Sequence, residues 1–175
     1  LTVPGVPDIY QGNELWRFDL VDPDNRRPVD FTRRQRLLAS LDAVTAPGPD
    51  RGRHVRALAQ QMPDGRAKLF LVRRVLQLRR SRPALFQEGD YRPLEVSGTA
   101  QTHLCAFARV WQDSLVVVLA PRGYALLANV AAGGAMGPPS WGDTTVDLST
   151  LPQGGPLSDW FTGAPAAMPI GANLP

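Results

Sequence analysis

The spacing of apolar residues changes near Gly89, and no other feature of the sequence constrains the fold as strongly. Before this point, residues such as Leu69 and Val72 recur at helical spacing, which predicts a helix from Ala67 to Arg82 that Pro83 ends. After it, β-branched and aromatic residues predict strands at Tyr91–Val96, Leu104–Trp111 and Ser114–Leu119. The sequence therefore predicts a mixed fold, with a helical part over residues 1–88 and a small antiparallel β-sandwich over residues 89–175.

Weaker signals complete this outline. The segment Leu1–Ile9 is predicted to be extended, although two prolines interrupt it. Either Asp30 or Thr32 is expected to cap a helix whose apolar face includes Leu37 and Leu41. The remaining predictions are a helix over His54–Met62, a hairpin turn at Gln112-Asp113, strands at Thr144–Leu148 and Trp160-Phe161, and a long loop over Ala131–Pro139.

Length and composition limit the class of protein. Hydrophobic residues make up 43% of the chain and charged residues 20%, so a buried core is expected rather than disorder. The 175 residues are fewer than the roughly 250 that a complete α/β barrel takes. Because the chain begins at Leu1, inside a predicted extended segment, we expect it to be a piece of a longer protein.

The single cysteine, Cys105, excludes a disulfide within the chain and favours either a reducing cytoplasm or a protein indifferent to its compartment, of which a cytoplasmic location is our prediction. It lies in an alternating apolar stretch, so a buried thiol is predicted. The sequence has no apolar run long enough to cross a bilayer, and no membrane partner is expected.

Arginine supplies nearly all of the positive charge, since Lys68 is the single lysine and the net charge is only +3. A nucleic-acid interface gathers such residues on one face with aromatic residues between them. Here they are scattered along the chain, as at Arg17, Arg51 and Arg109. No nucleic-acid partner is therefore predicted.

The most specific motif occupies residues 4–16, Pro-Gly-Val-Pro-Asp-Ile-Tyr-Gln-Gly-Asn-Glu-Leu-Trp, with Asp-Pro-Asp-Asn-Arg-Arg-Pro-Val-Asp-Phe following at 22–31. The first part resembles the end of the eighth barrel strand in the α-amylase superfamily, family 13 of the glycoside hydrolases. The two parts together are similar to the maltooligosyl trehalose synthase family within it. The segments 68–74, 78–83 and 86–98 resemble that family as well, and the resemblance is thinner afterwards, where residues 157–163 match best.

This resemblance implies that residues 1–88 hold the last strand, a substrate loop and helices of a (β/α)8 barrel, and that 89–175 form a C-terminal β-sandwich domain. It implies an intramolecular transglucosylase that converts the reducing-end α-1,4 bond of a maltooligosaccharide into an α,α-1,1 bond. Retaining chemistry of this kind needs two carboxyl groups about 5 Å apart, which the family carries upstream of the segment seen here. No catalytic residue and no cofactor is therefore expected, and the chain alone is expected to be inactive.

Four carboxylates near the motif are candidates for catalysis on residue type alone: Asp8, Glu14, Asp22 and Asp24. Carboxylates in a loop rich in proline and asparagine more often form turns or pair with arginine. We therefore interpret all four as structural or substrate-contacting groups and not as an acid/base pair.

Sugar binding is the better prediction for this loop. In related enzymes with an Asp-Pro-Asp-x-Arg loop, the first aspartate and the arginine touch donor-side glucose, which the resemblance carries to Asp22 and Arg26. Tyr10 and Gln11 would line the pocket that holds the released glucose. The alternative, an internal Asp22–Arg26 salt bridge that shapes the loop, carries equal weight.

The four tryptophans, Trp16 among them, supply the remaining candidates, because an indole ring suits an apolar sugar face. Trp111 and Trp160 lie in strand patterns and are predicted to be core, whereas Trp141, in a glycine- and proline-rich loop, is the tryptophan expected to be exposed. His54 and His103 have no metal-ligand spacing, so no metal site is predicted. Two alternatives remain open: a stand-alone carbohydrate-binding module over 89–175, and the tail of another α-glucan hydrolase.

Overall fold

The computed structural model describes residues 1–19, 26–130, 136–152 and 155–166. These residues form two compact units. The first contains Leu1, Gly5–Ser81 and Ser158–Ala166, and the second contains Thr2–Pro4 and Arg82–Leu157. Each unit has its own hydrophobic core.

The first unit is helical. Its helices are α1 (Phe31–Ser40), α2 (Asp42–Thr45), α3 (Arg51–Ala59) and α4 (Arg66–Ser81), and a 3-10 turn covers Met62–Asp64. Asp30 caps α1, as predicted, by accepting a hydrogen bond from the main-chain N–H of Arg33 at 2.8 Å. The expected helix over His54–Met62 begins earlier, at Arg51, and ends at Ala59; Gly65, with a φ of 83°, closes the separate 3-10 turn that follows.

The core of the first unit is small and apolar: its buried members are Leu15, Leu41, Leu58, Leu69 and Phe70. The helix predicted at Ala67–Arg82 is confirmed within one residue at each end. Its buried residues are Leu69, Phe70, Val75 and Leu78, whereas Leu76 is 40% exposed although it lies in the apolar pattern.

The barrel strand that the resemblance implies near the start of the chain is not confirmed. The described residues before α1 include no hydrogen-bonded strand. The physical reason is that a strand exists only when a neighbour pairs with it, and Pro4 and Pro7 have no N–H to offer. Gly5, with a φ of 111°, bends the backbone further from an extended path.

The second unit is mainly antiparallel β-structure. It contains α5 (Pro83–Gln87), β1 (Asp90–Pro93), β2 (Val96–Ser97), a 3-10 turn (Gln101–His103), β3 (Leu104–Trp111), β4 (Ser114–Pro121), α6 (Tyr124–Leu127), β5 (Ala128–Val130), β6 (Met136–Pro139) and β7 (Thr145–Val146). Among the described residues these strands form three sheets, with strand orders β1-β3-β4, β2-β7 and β5-β6. The hairpin turn between β3 and β4 lies at Gln112-Asp113, as predicted, and Gln112 adopts a φ of 49°.

The predicted strand Tyr91–Val96 is divided between two sheets. Up to Pro93 it pairs with β3, and Leu94 still donates its N–H to Ala106 O at 3.0 Å. Val96 then pairs with Val146 of β7 instead. The chain thus changes sheets after Pro93.

Three other expectations in this region are wrong. The strand at Thr144–Leu148 shortens to Thr145–Val146, because the Asp147 carboxylate accepts the N–H of Ser149 and closes a turn. Residues 136–139 of the expected loop form β6, and residues 131–135 lie outside the described residues. Trp160-Phe161 is a turn in the first unit, because Asp159 accepts the N–H of Phe161 at 2.7 Å.

One face of the main sheet carries the core of the second unit, whose buried members are Leu94, Ala106, Ala108, Val110, Val146 and Leu151. The alternate residues Phe107 and Arg109 are also buried, at 3% and 1% exposure, and α5 contacts β3. Antiparallel β-structure in this region is therefore shown, and its closure into a β-sandwich stays a prediction.

The thiol of Cys105 is exposed, contrary to the prediction, because it lies beside Ala120 near the open end of the β3–β4 pair. No helix in the described ranges is long and apolar enough to span a bilayer.

Candidate functional site

The predicted substrate residues Tyr10 and Gln11 lie in a tight turn of the first unit. Asn13 donates its N–H to Tyr10 O at 3.0 Å, and Gly12 adopts a φ of 93°. This positive φ favours glycine at the turn, whereas a Cβ on Gly12 would meet mainly the end of the flexible Arg17 side chain, 2.8 Å from Nη1. Tyr10 is 48% exposed and Gln11 is exposed, which leaves both side chains accessible on this turn.

Arg34, in α1, fixes this turn. Its Nη2 donates to Gly12 O at 2.7 Å, its Nε to the carboxylate of Glu14 at 3.1 Å, and its Nη1 to Asp30 O at 3.1 Å. One planar guanidinium thus joins the turn to the start of α1 through three separate acceptors. Arg17 adds a fourth contact by donating from Nη1 to Gln11 O at 3.2 Å.

The residues after the turn are anchored in the core. Leu15 is 4% exposed and packs in the apolar cluster of the first unit. Lys68 Nζ, from α4, donates to Leu15 O at 3.2 Å and lies 5.1 Å from the centre of the Trp16 ring. The indole Nε1 of Trp16 donates to Met62 O at 2.5 Å. The backbone and the ring orientation are therefore set by the fold.

Of the other two predicted substrate residues, Arg26 lies within the described part of the chain and Asp22 does not. Arg26 is exposed. Both interpretations of the Asp22–Arg26 pair, sugar contact and loop-shaping salt bridge, therefore stay predictions.

Glu14, a carboxylate of the turn, has a structural partner. Glu14 pairs with Arg34, with 28% and 17% of their side chains exposed. Farther along the chain, Asp64 accepts hydrogen bonds from both the main-chain N–H and the guanidinium of Arg66. Burial by itself would raise the pKa of Asp64, but these bonds and the Arg66 charge outweigh it and hold the pKa below its ordinary value. Such a carboxylate is held ionised and is no general acid near neutral pH.

The exposed tryptophan is Trp16, which is 40% exposed, and not Trp141, which is half-buried like Trp111 and Trp160. Trp16 was a candidate for sugar stacking on residue type but was not expected to be exposed, and Arg34 and Lys68 were not predicted at the site.

A second polar cluster surrounds Trp160. The guanidinium groups of Arg51 and Arg74 both donate to Trp160 O, at 2.7 and 2.8 Å, and the indole N–H donates back to Arg74 O at 2.8 Å. The Arg74 guanidinium lies 4.5 Å from the ring centre. Burial, followed by the charges of Arg51 and Arg73, lowers the pKa of Arg74. This arrangement fixes the segment Ser158–Ala166 onto α3 and α4.

No group of three or more histidine, cysteine, aspartate or glutamate side chains suited to a metal ion occurs in the described part of the chain. The candidate site is thus the turn Tyr10–Trp16 with its supporting residues Arg34 and Lys68.

Comparisons with known proteins agree on one kind of relative. Two Mycobacterium tuberculosis proteins, from two strains and provisionally named maltooligosyl trehalose synthase, are each 42% identical to this chain over 118 residues, which is 67% of the chain and 12% of each relative. The solved structure of maltooligosyltrehalose synthase from Arthrobacter ramosus matches with a TM-score of 0.65 and 39% identity over 94% of this chain and 18% of that one.

A further solved maltooligosyl trehalose synthase matches with a TM-score of 0.51 and 33% identity, over 67% of this chain and 14% of that one. No family model matches the chain. The chain spans about an eighth of the length of the curated relatives it matches.

Proposed function

We propose that this chain, a homologue of one segment of the maltooligosyl trehalose synthases, works as the carboxyl-terminal part of an enzyme with that activity. The enzyme converts the reducing-end α-1,4 bond of a maltooligosaccharide into an α,α-1,1 bond. The observation that carries the proposal is a sequence identity of 42% to a protein named as a maltooligosyl trehalose synthase and of 39% to a solved structure of such an enzyme.

The turn Tyr10–Trp16 supports a role in substrate binding. It exposes Tyr10 and Gln11 on a backbone that Arg34 and Lys68 hold in place. A pre-organised turn of this kind suits a pocket that must hold a released glucose while the remaining sugar chain reacts. In this proposal Asp22 and Arg26 bind the neighbouring donor-side glucose through charge-assisted hydrogen bonds.

The catalytic carboxylates belong, in this proposal, to the part of the enzyme that precedes this chain. Supporting this, Glu14 is engaged by Arg34 and Asp64 by Arg66 in the described structure. The isolated chain is then expected neither to isomerise nor to hydrolyse maltopentaose, because no nucleophile and acid/base pair is available.

The second unit has a structural role in this proposal and does not bind glucan. Its tryptophans Trp111 and Trp141 are half-buried, and Tyr91, which is 42% exposed, packs its ring at 4.8 Å on the buried Phe107. An aromatic row on which a glucan could stack is missing from the described residues. The enzyme is proposed to be cytoplasmic, as expected of a chain with one cysteine.

A chimeric enzyme tests the role of the loop. This chain replaces the matching segment of the Arthrobacter ramosus enzyme, and Asp22→Ala and Arg26→Ala are each introduced into the chimera. Losing one charged hydrogen bond to substrate costs about 1.5–3 kcal/mol, which is about a ten- to hundredfold fall in kcat/KM on maltopentaose. A loosened pocket also admits water, so free glucose should increase relative to trehalose-ended product.

Melting temperatures distinguish the two interpretations of this pair. If Asp22 and Arg26 contact sugar, kcat/KM falls while the melting temperature stays nearly constant. A lowered melting temperature, with activity lost only in proportion to unfolded protein, would assign the pair to a loop-shaping salt bridge. Arg36→Met, at an exposed position of α1, is the matched control and should change neither quantity.

A further inference from the structure

We propose that Phe161 is a positioning residue for the turn Tyr10–Trp16, and that it acts on this turn through α4. The segment that carries it, Ser158–Ala166, is called the C-terminal strap. The inference rests on the proposed function, and it gives a role to the motif at residues 157–163, to which that function assigns none. The strap and the turn both belong to the first unit.

The C-terminal strap has a defined conformation of its own. The carboxylate of Asp159 accepts the main-chain N–H of Phe161 at 2.7 Å and the hydroxyl of Thr162 at 2.8 Å. The carbonyl group of Asp159 accepts the N–H of Gly163 at 2.7 Å. Hydrogen bonds within the strap therefore fix the direction in which its backbone presents Phe161.

The strap holds one face of α4. Phe70 and Arg74 are four residues apart on this helix, so they lie on the same face. The ring of Phe161 packs on Phe70, with 6.1 Å between the ring centres. Arg74 donates from Nη2 to Trp160 O at 2.8 Å and accepts the Trp160 indole N–H at its own carbonyl group, also at 2.8 Å. Apolar and polar contacts thus join the strap to α4 side by side.

The same helix holds the turn. Lys68 lies two residues before Phe70 and donates to Leu15 O at 3.2 Å. Leu15 is buried in the apolar cluster that also contains Phe70, and Phe161 packs against this cluster. Because a close-packed core transmits small displacements, loss of the Phe161 ring should shift α4 and, with it, the backbone that presents Tyr10 and Gln11.

A general contribution to stability is the competing explanation for Phe161, and Val44 separates the two. Val44 packs against the same cluster but belongs to α2. If Phe161 only stabilises the core, Val44→Ala and Phe161→Ala should affect the enzyme in the same way. If Phe161 positions the turn, only Phe161→Ala should change the handling of substrate.

The Arthrobacter ramosus chimera with maltopentaose provides the first test, at a temperature where each variant is folded. Phe161→Ala should lower kcat/KM about tenfold, as for a small misplacement of a binding group. It should also raise the ratio of free glucose to trehalose-ended product, a ratio that does not depend on how much of the enzyme is folded. Phe161→Leu should give an intermediate ratio, and it carries the test alone if Phe161→Ala does not fold. Val44→Ala should lower the melting temperature but keep the parental ratio.

Amide exchange in the isolated 175-residue chain provides the second test. The amide of Asn13, bonded to Tyr10 O, should exchange about tenfold faster in Phe161→Ala, whereas the amide of Val44, bonded to Leu41 O, should keep its rate. Equal acceleration of both amides would overturn the positioning role. So would a parental product ratio in the folded Phe161 variants, or an equal change of that ratio in Val44→Ala. An unmutated chimera without trehalose-ended product would instead reject the proposed function, and faster exchange at Asn13 alone would still support the link from strap to turn.

Discussion

Replacement of Arg34 by methionine should loosen the turn that carries Tyr10 and Gln11. Arg34 makes three hydrogen bonds, to Gly12 O, Asp30 O and the Glu14 carboxylate. The two bonds to carbonyl groups contribute about 1 kcal/mol each. The partly exposed ion pair contributes about 0.5–1 kcal/mol. Arg34→Met should therefore lower the free energy of unfolding of the first unit by about 2–3 kcal/mol.

Urea denaturation followed by tryptophan fluorescence measures this change, because Trp16 and Trp160 both lie in the first unit. Glu14→Gln removes only the ion pair and should cost less than about 1 kcal/mol. Arg36→Met, which changes an exposed arginine of the same helix, should stay within about 0.5 kcal/mol of the parent chain. The amide hydrogen of Asn13, bonded to Tyr10 O, should exchange faster in Arg34→Met. An Arg34→Met chain as stable as Arg36→Met would refute this prediction. So would a Glu14→Gln chain destabilised as much as Arg34→Met.

Three other substitutions test the packing of each unit. Arg109 is 1% exposed and donates to Gly89 O at 2.8 Å and to Phe86 O at 3.1 Å. Arg109→Met should therefore lower the free energy of unfolding of the second unit, measured by urea denaturation, by about 3 kcal/mol, and a change below about 1 kcal/mol would contradict this. The lowered pKa of Asp64 stabilises the fold at pH values above about 4, the ordinary pKa of an aspartate, and this stabilisation is lost as the pH falls through the lower pKa of the folded state. Asp64→Asn should therefore show a shallower loss of melting temperature below about pH 4, and acid profiles identical to those of the parent chain would refute this. Trp160→Phe removes the N–H bond to Arg74 O and should cost about 1–2 kcal/mol, whereas Trp111→Phe, in the other unit, should leave the first unit unchanged.

Helix positions followed from the sequence because local signals determine them. Asp30 and Pro83 mark boundaries through their own backbone chemistry, a side-chain cap and a missing N–H, and both act as predicted. The dipeptide Gln112-Asp113 likewise marked the position of the hairpin turn between β3 and β4. The strand predicted at Leu104–Trp111 is confirmed over its full length because both neighbouring strands pair with it.

The remaining features depend on partners that are distant in sequence. The change of sheet after Pro93 requires Val146, and the position of Trp160 requires Arg74 of α4. An arginine at a buried strand position, as at Arg109, is satisfied by carbonyl groups that only the folded chain brings together. The same limit applies to the site: the motif identified Tyr10 and Gln11, but Arg34 and Lys68 reach the turn from helices whose packing a motif does not encode.

The proposed activity, conversion of an α-1,4 bond into an α,α-1,1 bond, is tested most directly by whether the number of reducing ends falls or rises. An α,α-1,1 bond removes the reducing end of the substrate, whereas hydrolysis of an α-1,4 bond creates a new one. The chimera that carries this chain in the Arthrobacter ramosus framework is incubated with maltopentaose, with the parent enzyme as control and the isolated chain as blank. We predict that reducing ends decrease and a trehalose-ended product accumulates. An increase in reducing ends, or no change from a chimera whose melting temperature matches the parent enzyme, would contradict the account.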